Sequence, residues 1–341
     1  MTIDRAQVQL RLGLGSDQES WVRHLEELGP PPRQVSLPAG EDLEAVLRRV
    51  AIVAEDAPQV AASAPTPEER PELWWLLERA HHQLVLAIGD PEATFECPLL
   101  PADLGPEGAC FWIHVFISAL GEIDAFHRKH GIPEDVAAAT LRDLGSHVAI
   151  NRRMHGITGL DVPGWESLPY RGILYALGRL QFNMYRLRTK RGPLFWEEDP
   201  ALLEEVGFRV GDPVLGAHIP ETGPMTPEGC RESLSWAGRF FDQYFPEADR
   251  RLIICSSWLL DEQLAELLPE SSNIVQFQRL FHLVPGGREG DGDVFKFVFR
   301  QVDPDVDQLP QRTTLERAVV RHLREGRHFQ LRTGWIRLSD W

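Results

Sequence analysis

The sequence predicts an α+β protein with a mainly helical first half and a mixed sheet with helices in its second half. In the first half apolar residues recur three and four positions apart; from about residue 165 the period changes toward two. A strand, loop, helix, strand order follows. A chain of 341 residues is long enough for about two domains of roughly 150 residues. We expect these domains to be residues 1–155 and 156–341.

The first half contains five predicted helices, each with an apolar stripe and most with proline or glycine near an end. They are predicted at residues 17–28, at 41–53, from Pro71 onward, at 111–130 and at 133–151. Between the second and the third, residues 57–67 are rich in Ala and Pro, which is typical of a loop or linker.

The second half alternates predicted strands and helices. Residues 172–188 form one long strand or two strands bent at Leu177-Gly178, and 214–219 form a short strand. Thr226 then caps a helix with Pro227 in its first turn. The remaining predictions are a strand at 251–255, a helix from Asp261 to 268, a hairpin of 275–283 with 295–299, a helix capped by Thr313 and Glu316, and a last strand at Trp335.

Charge is distributed unevenly along the chain. Residues 1–150 hold 24 acidic and 11 basic side chains, a net charge of −13, whereas residues 151–341 hold 27 and 24, a net charge of −3. A chain with a net charge of −16 repels phosphate backbones and anionic lipid, so we expect neither nucleic acid nor a membrane surface as a partner. We expect any anionic ligand to bind to the second half, whose net charge is closer to zero.

Several classes of protein are disfavoured by what the sequence lacks. Apolar runs such as 111–120 are shorter than the roughly 20 residues of a membrane span, and the first residues do not resemble a secretory signal. The four cysteines form no CxxC pair, which indicates reduced thiols. His81-His82 and His127-x-x-His130 could form a metal site only with partners at distant positions, which disfavours a metal. We therefore expect a cytoplasmic protein without a metal.

Three segments carry a resemblance to a known family. They are GAHIPETGPMTPEGC at 216–230, SSWLLDEQL at 256–264 and LPESSNI at 268–274. In this order, after a helical half, they resemble bacterial two-domain acyltransferases with a helical N-acyltransferase N-terminal domain and a GNAT-like C-terminal domain. The resemblance implies a GNAT-like α/β fold for the second half. It also implies acetyl-CoA or another acyl-CoA as co-substrate and an amine as acceptor.

Such a transferase needs a base for the amine, backbone groups for the pantetheine and donors at a helix N-terminus for the pyrophosphate. His218 is the first candidate base, Glu221 is the second, and Ser257 is a candidate donor to the departing sulfur. The candidate cofactor-binding residues are Ile219, Gly223, Thr226, Gly229, Arg231, Ser256, Trp258 and Asn273. We expect direct attack by the amine, without a covalent enzyme intermediate.

Each candidate also has a structural alternative. A hydrogen bond at a strand end is the alternative for His218, and a solvated loop position is the alternative for Glu221. For Ser256 and Ser257 the alternative is helix entry, and for Trp258 it is the core. Asn273 follows two serines, which is typical of a turn.

The sequence departs from the usual GNAT pattern at two places. Residues 221–229 contain no Arg or Lys and only two glycines, and residues 261–274 lack the usual general-acid tyrosine. A second hypothesis is therefore a noncatalytic module that binds CoA or another ligand, with a helical half that docks a partner protein. Under the first hypothesis a small-molecule amine is favoured over a protein as acceptor. Acyl chain length and oligomeric state have no signature in the sequence.

Overall fold

The computed structural model describes residues 3–187 and 207–341 and forms two compact units. The first unit ends at Tyr175 and the second begins at Ala176. The division therefore lies after the helix Pro163–Tyr170, which the sequence-based boundary at 155 places in the second domain. That helix packs on helices of the first unit through buried residues such as Tyr170, whose ring stacks on Phe116 at 4.9 Å.

The described residues of the first unit form ten α-helices joined by loops, followed by the start of a strand at Leu174. Its helices are α1 (Arg5–Arg11), α2 (Ser16–Leu28), α3 (Gly40–Arg49), α4 (Ala57–Ala62), α5 (Pro71–Leu86), α6 (Gly105–Ser118), α7 (Leu120–His130), α8 (Glu134–Leu141), α9 (Asp143–His155) and α10 (Pro163–Tyr170). A cluster of aromatic rings lies at the centre of their common core. Trp21, Phe111 and Trp112 contact one another there, and all three are almost fully buried.

The helical stretch Ala102–His130 is long and apolar enough to cross a membrane by length and composition alone. Its uninterrupted apolar runs are shorter than a membrane span, so apolar run length alone predicts no spanning helix here. In the structure 61% of its most apolar window is buried inside the protein, and every residue from Cys110 to Ile117 is buried. Packing in the core of the first unit thus accounts for its apolar composition without a membrane.

The prediction of a linker at 57–67 is wrong for its first half. Residues 57–62 form α4, which has proline in its first turn and Val60 fully buried. Proline is compatible with a first helical turn, where its missing N–H has no partner to lose. An Ala and Pro composition therefore did not distinguish a short packed helix from a linker.

The second unit is built on a mixed sheet. Its strands are β1 (Leu174–Leu177), β2 (Leu180–Arg186), β3 (Pro213–His218), β4 (Leu252–Ser257), β5 (His282–Leu283), β6 (Arg288–Glu289) and β7 (Gln330–Arg337). The strand β1 begins in the last two residues of the first unit and continues into the second. Its helices are α11 (Pro227–Tyr244), α12 (Gln263–Leu267), α13 (Asn273–Gln278), α14 (Asp291–Val294) and α15 (Thr314–Arg324). The strand order is β1-β2-β3-β4-β7-β5, and β6 also pairs with β7.

The strand pair at the start of this unit confirms the bent alternative of the sequence analysis. Gly178 lies between β1 and β2 with a φ of 77°, a backbone conformation that favours glycine. Arg188, the last residue of the predicted strand, lies outside the described residues.

The predicted caps at Thr226 and Thr313 are confirmed, because the two hydroxyls accept hydrogen bonds from the backbone N–H groups of Gly229 and Glu316.

The predicted hairpin of 275–283 with 295–299 is wrong. The Ser272 hydroxyl accepts the N–H of Val275 and starts α13 where alternation predicted a strand. Phe295–Phe299 forms a π-helical turn after α14 and ends at Arg300 in the left-handed conformation. Only the two-residue strands β5 and β6 remain, and both pair with β7. Capping chemistry and pairing with a distant strand therefore override the local alternation.

We predict that the free energy of unfolding decreases as the pH is lowered, because His114 in α6 is buried. This side chain is 1% exposed, its Nε2 lies 3.1 Å from the Ser63 hydroxyl, and burial lowers its pKa to about 4. The unfolded chain takes up this proton near pH 6.5, so the contribution to stability is complete above that pH. It is lost as the pH falls toward 4, at up to about 1.4 kcal/mol per pH unit.

Urea unfolding between pH 7 and pH 4.5 measures this dependence. His114→Leu removes the titrating side chain and should therefore reduce the slope of the unfolding free energy against pH. Ser63 keeps its hydrogen bond to the Val60 carbonyl in this variant. His24→Leu, at an exposed histidine of the same unit, is the matched control and should leave the slope as in the parent. An equal slope in parent and His114→Leu contradicts the assignment.

Candidate functional site

The parallel strands β3 and β4 separate near the middle of the sheet. Their pairing is limited to Leu215 with Ile253 and Gly216 with Ile254, although β3 continues to His218 and β4 to Ser257. Each strand is held on its other side, β3 by β2 and β4 by β7. The separation opens an edge at which backbone groups can bind an extended ligand, as the sequence analysis expects.

His218 lies at the end of β3 on this edge and is half-buried. Its Nε2 is 2.7 Å from Oδ1 of Asn183 on the neighbouring strand β2. An amide oxygen only accepts, so Nε2 carries the hydrogen and the ring lone pair is on Nδ1. The asparagine therefore fixes both the orientation and the tautomer of the candidate base.

Gly216 provides the space for this hydrogen bond. It lies directly opposite Asn183 in the β2–β3 register. A Cβ atom at position 216 would lie 2.2 Å from Asn183 Oδ1 and 3.1 Å from His218 Nε2. The glycine is thus required by the close approach of two neighbouring side chains, although its backbone conformation is ordinary.

Ser256 and Ser257 have different surroundings at the end of β4. Side chains alternate along a strand, so Ser256 shares the sheet face of Gly216 and His218, and Ser257 belongs to the opposite face. The Ser256 hydroxyl is 2.7 Å from that of Thr333 on β7. The Ser257 hydroxyl accepts the N–H of Leu259 at 3.1 Å and caps a short 3₁₀ turn, Trp258–Leu260.

Trp258 and Glu221 have partners that favour their structural alternatives. Trp258 is 5% exposed and packs edge-on against Phe329 in the core of the second unit. Glu221, on the loop after β3, forms an ion pair with Arg300. Both stay predictions as site residues.

The loop from Ile219 to Thr226 leads into α11, an 18-residue helix. Gly223 in this loop has a φ of 110°, and Thr226 caps the helix by accepting the Gly229 N–H at 3.2 Å. Arg231 is exposed in the first turns. The first N–H groups of a helix and its dipole favour a bound anion such as pyrophosphate.

Arg179, which the sequence analysis did not identify, holds this loop from the turn between β1 and β2. Its guanidinium donates to three carbonyl oxygens, those of Pro220 at 3.0 Å, Gly223 at 3.1 Å and Pro224 at 3.2 Å. In a trans peptide the C=O and N–H groups point in opposite directions. The N–H groups of Glu221 and Met225 consequently face away from Arg179.

The turn that carries Arg179 is itself fixed to α11. The backbone N–H groups of Arg179 and Leu180 donate to the buried Ser233 hydroxyl at 2.8 and 3.2 Å. Burial lowers the pKa of Arg179, but a guanidinium remains charged at neutral pH. The structure therefore places a cation against a loop whose own sequence has none.

Asn273 does not lie on β3 or β4, the two strands that separate. It is the first residue of α13 and lines an open, mainly apolar pocket of about 360 Å³. The other lining residues are Leu268, Pro269, Ser272, Ile274, Thr314 and Leu315. The structure does not bring Asn273 to the same strands as His218, and it stays a prediction as a cofactor-binding residue.

A covalent route through Cys255 is disfavoured. This cysteine lies on β4 next to the separation and is fully buried, which raises the pKa of its thiol to about 12. The thiolate is the nucleophilic form, and at neutral pH it is almost absent here. The arrangement supports direct attack on a bound thioester.

Comparison with known proteins relates both halves of the chain to acyltransferases. Residues 41–172 match the model of the N-acyltransferase N-terminal domain, and residues 174–336 match that of the GNAT-like C-terminal domain. None of the curated proteins matches the chain.

Three solved structures are similar over nearly the whole chain. An acyltransferase in complex with decanoyl-CoA is 41% identical, with a TM-score of 0.89 over 98% of this chain and 99% of that one. An acyltransferase with CoA and 10C-teicoplanin is 40% identical, with a TM-score of 0.89 over 98% and 100%. An acyltransferase mutant with octanoyl-CoA is 41% identical, with a TM-score of 0.87 over 98% and 99%.

We predict that Gly216→Ala displaces Asn183 and breaks its hydrogen bond to His218 Nε2. The added methyl group overlaps Asn183 Oδ1, and overpacking of this kind costs about 1–3 kcal/mol. Nitrogen NMR of histidine-labelled protein should show Nε2–H as the dominant tautomer in the parent and a mixture in the variant. Gly121→Ala, where a Cβ meets nothing within 4 Å, is the control. An unchanged His218 spectrum in Gly216→Ala contradicts this prediction.

Proposed function

This chain belongs to the acyltransferase family that joins an N-acyltransferase N-terminal domain to a GNAT-like C-terminal domain, and we propose that it acylates an amine of a glycopeptide-like small molecule. It is an acyl-CoA-dependent acyltransferase. The acceptor class and a medium-length acyl chain are the proposed part. They rest on similar structures that contain decanoyl-CoA, octanoyl-CoA and teicoplanin.

The separation of β3 and β4 beside the N-terminus of α11 is the observation that carries the proposal. Backbone groups of the diverging strands bind the pantetheine amides. The pyrophosphate binds at the start of α11, against the Glu221 and Met225 N–H groups that Arg179 turns outward. The thioester then lies at the strand ends, where His218 and Ser256 share one face.

The proposed reaction is direct acyl transfer. The amine nitrogen attacks the thioester carbonyl, the new C–N bond forms, and His218 accepts a proton from nitrogen at Nδ1. Collapse of the tetrahedral intermediate breaks the C–S bond. The thiolate of CoA takes a proton from water, either directly or through the Ser256 hydroxyl, which water reprotonates in the same step. His218 releases its proton to water, and the products are an amide and free CoA.

The negative charge of the first half supports the proposed acceptor, and the free cysteines support the proposed location. Residues 1–150 have a net charge of −13, which attracts a cationic amine and repels a polyanion. All four cysteines are free, in keeping with a reducing compartment. We place the reaction in the cytoplasm.

We predict that Arg179→Gln raises KM for acyl-CoA by about tenfold or more, because the loop carbonyls lose a charged donor. KM for the acceptor should change little. Arg239→Gln, at an exposed residue farther along α11, is the matched control. Initial rates with decanoyl-CoA and a glycopeptide amine measure both constants. An equal change of KM for acyl-CoA in the two variants contradicts the role of Arg179.

We predict that His218→Gln lowers kcat by about 10²–10⁴ while thermal stabilisation by decanoyl-CoA persists. Asn183→Ala should lower kcat less and shift its pH profile, since the histidine remains but loses its fixed tautomer. Glu221→Gln tests the second candidate base. Full turnover in His218→Gln removes this histidine from the mechanism, and the absence of any stabilisation by acyl-CoA in the parent refutes the site itself.

A further inference from the structure

Three potential metal ligands meet in the first unit, away from the residues discussed above. Asp143 and His147 lie one turn apart on α9, and Glu166 lies in the first turn of α10. His147 Nε2 is 3.6 Å from Asp143 Oδ2 and 3.7 Å from Glu166 Oε1, and the three ligand atoms lie within 4.8 Å of one another. This is the one such group within residues 3–187 and 207–341.

Glu166 is the residue whose environment requires an explanation. It is 0% exposed, and neither carboxylate oxygen has a hydrogen-bond partner. No lysine or arginine among the described residues lies within ion-pair distance of it. Burial, the charge of Asp143 and an approach of the Asp143 and Glu166 carboxyl groups close enough to share a proton raise the pKa of Glu166 well above the ordinary value. A buried carboxylate without a counter-charge costs several kcal/mol, so this site needs either a proton or a cation.

A second buried polar group lies beside the cluster. Tyr170 follows Glu166 by one turn of α10, is 0% exposed, and its hydroxyl has no hydrogen-bond partner. Burial raises the pKa of Tyr170 well above its ordinary value, and the charges of Glu166 and Asp143 raise it further. Buried polar groups are rarely left without partners, and an ion with its bound water satisfies such a set.

We propose that Asp143, His147 and Glu166 bind one divalent transition-metal ion, with Zn²⁺ as the best-fitting probe. Nitrogen and carboxylate ligands at about 2.0–2.2 Å in a tetrahedron lie about 3.3–3.5 Å apart. The two measured separations of 3.6 and 3.7 Å are close to this spacing. A site with one imidazole and two carboxylates suits Zn²⁺, Co²⁺ or Mn²⁺ better than the all-oxygen sites of Mg²⁺ and Ca²⁺.

Trp165 donates a hydrogen bond to one of the proposed ligands, as residues around metal sites usually do. Its indole Nε1–H donates to Asp143 Oδ2 at 3.0 Å and fixes the orientation of that carboxylate. The ion would link α9 to α10 within the first unit and neutralise the two buried carboxylates. This role is structural and does not depend on the acyl-transfer chemistry of the second unit.

Metal binding by the full-length protein tests the proposal. After treatment with a chelator and dialysis, titration with Zn²⁺ should load one equivalent per chain by elemental analysis and raise Tm. Co²⁺ should give the visible absorption of a tetrahedral ion. Glu166→Gln keeps the shape of the side chain and should weaken Zn²⁺ binding at least tenfold, as should His147→Ala. Trp165→Phe should weaken it about 10- to 100-fold.

Glu134→Gln, at an exposed carboxylate in the first turn of α8, is the control and should bind Zn²⁺ as the parent does. If the folded parent loads no Zn²⁺ or Co²⁺, the proposal is wrong. It is also overturned if Glu166→Gln binds Zn²⁺ like the parent. If the parent takes up no metal and Glu166→Gln is more stable than the parent, the three side chains share a proton and bind no metal ion.

Discussion

The short parallel pairing of β3 and β4 is the constraint on which the second unit depends. Two residue pairs join the strands, and beyond them each strand stays extended because its other neighbour continues to hold it. Backbone hydrogen-bonding groups at a sheet edge normally pair with another strand. Here the fold keeps them at the centre of the sheet, where they are accessible to an extended ligand in place of a strand partner.

Much of the architecture could be predicted from local sequence signals. The change from helical spacing to alternation located the sheet, and Thr226 and Thr313 located two helices through their caps. Local signals failed where distant contacts decide. Residues 275–299 alternate like a hairpin, but Ser272 starts a helix there and β7 takes the pairing positions.

The candidate site was only partly predictable for the same reason. His218 ends a strand before a glycine-containing loop, a pattern visible in the sequence, whereas Asn183 and Arg179 act across strands and turns. Asn183 does leave a trace as one of the polar residues of β2, at a position opposite a glycine. Arg179 leaves none, because its three carbonyl partners lie more than 40 residues away.

The position of Arg179 separates the shape of the loop from Ile219 to Thr226 from the loop's own composition. One guanidinium from a neighbouring turn orders the loop through three of its carbonyl oxygens. The loop therefore needs no basic residue of its own to hold this shape. A substitution in the turn between β1 and β2 would alter the loop as directly as a substitution within it.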